Sequence, residues 1–113
     1  MNTYNVYQIR LTDEDRDQVN SMGWSAANVN PRVKAYLDKD MNIQSAFDSG
    51  YYNLVSKITA EDLDGVFRVG NIGPEENIER IAPMHSISVG DVIMTPEGKY
   101  FGVSGIGFEE VTV

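Results

Sequence analysis

The chain contains no cysteine. That excludes disulfides, a thiolate nucleophile and any zinc site built on Cys ligands. It holds a single histidine, His85, so imidazole can supply one metal ligand at most and no His-His or His-Cys spacing exists. Long apolar runs are missing too, with none near the ~20 residues needed to cross a bilayer. The opening stretch MNTYNVYQIR lacks the basic-then-apolar order of a secretory signal. Basic residues are scarce, nine against seventeen acidic, for a formal charge of −8. Such a surface repels phosphate backbones and argues against nucleic-acid partners. These absences lead us to expect a cytoplasmic protein with no cofactor, no metal and no membrane association.

What remains is enough for one core. The chain has 113 residues, 42% hydrophobic and 10% aromatic, which is the size of a single domain spanning 1–113. Tyr4–Leu11 alternates like a strand with Tyr7, Ile9 and Leu11 on one face. Thr12 is placed to cap a helix whose first turn carries Asp13, Glu14 and Asp15 against the positive end of the dipole, and Gly23 stops it. That helix has few apolar positions, mainly Val19 and Met22, and should lie at the surface. Asn30 followed by Pro31 opens a second helix with Val33, Tyr36 and Leu37 facing inward, and a third short helix spans Ile43 to Ser49.

Tyr51–Ile58 reads as a second strand. Thr59 is the expected cap of a helix in which Asp62 completes a capping box, Leu63, Val66 and Phe67 face the core, and Gly70 ends the run. Pro74 opens a short turn reaching Ile81. Extended runs at Val92–Met94, Tyr100–Ser104 and Phe108–Val113, with the turn sequence TPEGK between the first two, form a β-meander. The resulting expectation is an α+β domain: an antiparallel sheet with a C-terminal three-stranded meander and several short helices packed on one side.

Motifs that carry chemistry are few. The run Asp13, Asp15, Asp17 lacks the glycine and glutamate of a calcium loop. GVSGIGF and VGNIGPEE lack the surroundings of dinucleotide and phosphate loops. A hydrolase or transferase reading would centre on His85 and Asp91, with His85 as base, Ser86 or Ser88 as nucleophile and Asp91 orienting the ring. Adjacent side chains on extended backbone point to opposite faces, however, and no nucleophile elbow is present. The alternative is that these polar side chains hydrogen-bond the loop that launches the meander. His85→Ala and Asp91→Asn would then each cost about 1–3 kcal/mol. No residue is assigned a catalytic role. The binding candidates are Trp24, Tyr51, Tyr52, His85, Ser86 and Asp91, since Trp and Tyr are common interface anchors.

The segment HSISVGDVI…GKYFGVSGIGFEEV resembles the YodL-like domain family. The resemblance is carried by His85, Ser86, Ser88, Asp91, Val92, Tyr100, Gly107 and Phe108, with Tyr7–Arg10 similar to that family's opening strand and Tyr51–Ile58 to its tyrosine-bearing strand. Ser56 stands where tyrosine is more usual, and Gly90 where serine is. The resemblance implies a non-enzymatic accessory protein of phage, mobile-element or bacterial origin that binds a host or phage protein. It also makes His85 and Asp91 part of a structural signature. A third possibility, following from charge alone, is an acidic mimic of nucleic acid that occupies a basic protein.

Overall fold

The structure is a computed structural model that describes residues 1–37, 43–105 and 107–112. One six-stranded antiparallel sheet organises it. In chain order the strands are β1 (Asn2–Ile9), β2 (Tyr52–Ala60), β3 (Ile78–Arg80), β4 (Val92–Met94), β5 (Tyr100–Ser104) and β6 (Gly107–Val111). In space they run β3-β2-β1-β4-β5-β6, so the N-terminal strand lies in the middle and joins a β2–β3 half to the C-terminal meander. The α+β class and the meander match the sequence expectation. Val113, the expected end of the last strand, lies outside the described residues.

Helix α1 (Asp13–Met22) starts with a full capping box. The Asp15 N–H donates to Thr12 Oγ1 at 3.1 Å, and the Thr12 N–H donates back to Asp15 Oδ2 at 2.8 Å. A 3₁₀ segment, Gly23–Asn28, follows and leads into α2 (Pro31–Leu37). Asn30 caps α2 by accepting from the Arg32 and Val33 N–H groups at 3.0 and 3.3 Å. Its amide also donates to Asp15 Oδ1 and Gln18 Oε1, both at 2.8 Å, and so fastens α2 to α1. Only Val33 of the expected α2 stripe is buried; Tyr36 and Leu37 are exposed.

Both faces of the sheet are covered. Alternating residues of β1 and β4 separate cleanly: Tyr4, Val6 and Ile93 enter one cluster, Tyr7 and Val92 the other. On the first face α4 (Leu63–Ile72) packs Val66 and Val69 against Val55 and Ile58. On the second, α3 (Ile43–Asp48) sets Ile43 and Phe47 among Tyr7, Tyr52 and Tyr100. The helices are therefore divided between the faces rather than gathered on one. Burial of each fully covered Ile or Val, such as Ile58 and Ile93 at 0% exposure, contributes about 1.5–3 kcal/mol before entropy is counted.

Glycine marks the tightest contacts. A Cβ on Gly102 would sit 2.8 Å from the Ile43 side chain, and one on Gly70 would sit 2.3 Å from Ile87 Cδ1. Gly70 is therefore an interior packing position of α4. The helix ends at Gly73, whose φ of 100° suits glycine.

Several local expectations are corrected. β2 continues through Thr59 and Ala60 because both pair with β1, opposite Thr3 and Asn2. The cap of α4 is consequently Asp62, whose side chain accepts from the Gly65 N–H at 2.7 Å. Phe67 lies on the outer flank, 39% exposed, while Val69 takes the inward position. After Pro74 the turn Glu75–Asn77 gives way to β3, which pairs with Ser56–Ile58. β1 is covered on both faces: Tyr7 packs with the α3 cluster and Ile9 is buried, as the alternation suggested, while Tyr4, Val6 and Gln8 face the α4 side.

Candidate functional site

A bulge in β2 sets up the site. The β1–β2 register shifts between Val6 and Tyr7, leaving Val55 as the extra residue. The Val55 carbonyl accepts from both the Ile81 and Ala82 N–H groups, at 2.9 and 3.1 Å. The chain leaving β3 is thus pinned at the bulge before it enters the loop that carries His85, Ser86 and Ser88.

The middle of that loop is held by Gln8, which has no solvent exposure. Its amide Nε2 donates to the His85 carbonyl at 2.9 Å and to Asp91 Oδ2 at 3.0 Å, and its Oε1 accepts from the His85 N–H at 3.2 Å. Those two donations use both amide hydrogens. The exit is a turn in which the Ser88 N–H donates to Asp91 Oδ2 at 3.0 Å and the Asp91 N–H to the Ser88 carbonyl at 3.1 Å. Gly90 occupies this turn at φ 99°, where a side chain is strained. Its N–H donates to the Val103 carbonyl at 2.8 Å, and its own carbonyl accepts from the Tyr52 hydroxyl. Burial, and next the negative charge of Asp91, push the Tyr52 phenol well above the ordinary tyrosine range.

His85 itself is exposed, and its ring faces a different partner. Nδ1 lies 2.7 Å from the Ser86 carbonyl, which can only accept, so Nδ1 carries a hydrogen. The 3.2 Å approach of Gln8 Nε2 to the same Nδ1 then sets two donors side by side, and is not a hydrogen bond. Nε2 of His85 has no recorded partner among the described residues. Asp91 is buried, and its carboxylate accepts from Gln8 Nε2 and from the Ser88 N–H.

The six sequence candidates fall in separate places. His85, Ser86 and Asp91 share the loop, with Tyr52 beneath its exit turn. Tyr51 lies apart, under the Arg32 guanidinium at 5.5 Å from its ring centre. Trp24 stands on the 3₁₀ segment, 56% exposed, with Met22 and Val29 also exposed on the neighbouring backbone. Asp15 is buried between α1 and α2. Burial alone would raise its carboxyl, but hydrogen bonds from Thr12, Asn30 and Arg32 outweigh that and hold it below the usual carboxylate range.

Gln8 was missed as a site residue. The available signal was a polar residue at an inward position of an apolar strand, two residues after Val6. Two clefts flank the loop, and Met84 and His85 line both. One, about 230 Å³, opens toward Val69, Gly73 and Arg80. The other, about 210 Å³, opens toward Arg10, Arg16 and Tyr36. Among the described residues no three His, Asp or Glu side chains converge on a metal-sized site, and no helix is long and apolar enough to cross a membrane. No protein-family model matches the chain, and neither a curated protein nor a solved structure does.

Proposed function

We propose that this domain is a non-enzymatic accessory protein of the YodL-like kind, which acts in the bacterial cytoplasm by binding a host or phage protein. The observation that carries the reading is the exposure of Trp24, the only tryptophan, beside Met22 and Val29 on the unit formed by α1, the 3₁₀ segment and α2. Large apolar side chains left in water cost free energy that a partner surface recovers, and tryptophan is the residue most often found at the energetic centre of such contacts. The loop bearing the family-like signature supports the same reading. Its polar atoms hold backbone in place, with Asp91 closing a turn and Gln8 clamping His85.

The test is affinity capture from bacterial lysate at low and moderate salt, read by mass spectrometry, with wild-type and Trp24→Ser proteins side by side. The wild type retains one dominant protein and the variant loses it, while the two melt at the same temperature. Capture unaffected by Trp24→Ser would overturn the assignment of this surface. A turnover abolished by His85→Ala in a folded protein would overturn the non-enzymatic reading.

A further inference from the structure

The cleft of about 210 Å³ beside His85 has a charge character opposite to that of the molecule. The chain carries −8, yet among the described residues no aspartate or glutamate lines this groove, whereas Arg10 and Arg16 do, with His85 beside them. Arg10 follows the end of β1, Arg16 projects from α1, and His85 comes from the loop clamped by Gln8, so three separate segments bring two guanidinium groups and an imidazole to one place. The two ion pairs among the described residues join Arg32 to Asp15 and Arg80 to Glu75, and involve neither groove arginine. Between these groups the walls are apolar or aromatic: Leu11, Met84 and the ring of Tyr36, 41% exposed. His85 Nδ1 is already committed to the Ser86 carbonyl, which leaves Nε2 as the ring nitrogen able to meet a ligand.

We propose that this groove binds an acidic segment of a protein partner, taking a glutamate or aspartate side chain between Arg10, Arg16 and His85 and a neighbouring apolar side chain against Leu11, Tyr36 and Met84. Guanidinium groups match carboxylates in a two-pronged geometry, and their attraction is stronger where water is partly excluded. A bare phosphate would use the cations and leave the apolar walls in water; a polynucleotide would bring its backbone against an acidic molecule. The volume is below the ~300–1,000 Å³ of pockets that enclose whole small molecules, and suits one or two side chains of a larger partner. The proposal rests on the protein-binding reading and names the chemistry of one contact within it.

The experiment is an NMR titration of the isotope-labelled domain with a capped peptide alternating leucine and glutamate, its glutamine counterpart, and inorganic phosphate. The glutamate peptide shifts Arg10, Arg16, Tyr36 and His85 saturably, and binding weakens roughly tenfold in Arg16→Gln. It also weakens as salt rises from low to physiological strength. Equal binding of the glutamine peptide, shifts produced by phosphate but not by peptide, or no shifts at all would each overturn the proposal. Peptide binding without a lysate partner would leave the groove standing and defeat the Trp24 surface; a Trp24-dependent partner without peptide binding would do the reverse.

Discussion

Replacing Gln8 by leucine isolates the interaction that organises the His85 loop. The leucine matches the size of the glutamine but removes three hydrogen bonds: one to the His85 carbonyl, one from the His85 N–H and one to the Asp91 carboxylate. Two neutral bonds contribute about 1 kcal/mol each, and one to a charged acceptor about 2, for a gross loss near 4 kcal/mol. His85 lies at the surface, so water can reach its freed backbone groups, and the expected net loss is about 3 kcal/mol. In a domain of this size that lowers Tm by roughly 12 °C. The loss should be measured by urea unfolding followed by far-UV circular dichroism, because Trp24 is too exposed for its emission to report reliably. His85→Ala is the contrasting control. It keeps the backbone N–H and carbonyl that Gln8 holds and removes only the ring's bond to Ser86, so about 0.5–1 kcal/mol is expected. That is below the sequence expectation for this residue, because the structure assigns the work to its backbone. A loss under about 1 kcal/mol in Gln8→Leu, or a larger loss in His85→Ala, would refute the clamp.

Gly70→Ala should destabilise by about 1–3 kcal/mol, since the new methyl would sit 2.3 Å from buried Ile87, outweighing alanine's helix preference. Ile87→Val in the same chain should recover part of that loss in thermal melts, and strict additivity would count against the contact. Tyr52 and, to a lesser degree, Tyr7 are expected to ionise late in an ultraviolet titration. The folded value of Tyr52 is raised, so its neutral form contributes stability that is complete below the ordinary value near 10 and is lost as pH climbs above it. Tyr52→Phe removes that late step and the bond to Gly90, at about 1 kcal/mol. Asp15 has the opposite sign: its folded value is lowered, so its contribution is present above the ordinary carboxylate value near 4 and is lost as pH falls further. Asp15→Asn should flatten the acid limb of the stability curve, and an unchanged limb would contradict the assignment.

Local signals in the sequence were legible wherever local bonds decide the outcome. Thr12 and Asn30 cap their helices as their side chains suggest, and the meander follows from its turn residues. Misreadings arose where distant pairing overrides local preference. Thr59 is a competent cap, but hydrogen bonding to β1 keeps it in β2, and the next capping-competent residue, Asp62, takes over. β3 is three residues long and exists because β2 offers a free edge opposite Ser56–Ile58, a fact no window around Ile78 contains. The bulge at Val55 is equally invisible in the sequence, yet it anchors the loop through Ile81 and Ala82. Of the candidate site, the polar turn at Asp91 was readable as structural; Gln8 showed only as a polar residue in an apolar strand, and its partner 77 residues away did not show at all.

The clamp and the groove make a joint prediction. If His85 forms one wall of the acidic-segment groove, its position depends on Gln8, which borders the groove itself, whereas Arg16 sits on α1 away from that clamp. A loop free to leave the bound geometry reduces apparent affinity by the fraction of molecules still in it, about tenfold for each 1.4 kcal/mol of preference for the open form. Gln8→Leu, studied well below its melting temperature, should therefore weaken the glutamate peptide about two- to tenfold with both arginines in place. The shifts at His85 should fall more than those at Arg16, because only the loop has moved. A folded Gln8→Leu protein that binds the peptide as the wild type does would separate the two ideas. The groove would then rest on its arginines, and the loop would be a structural element that happens to border it.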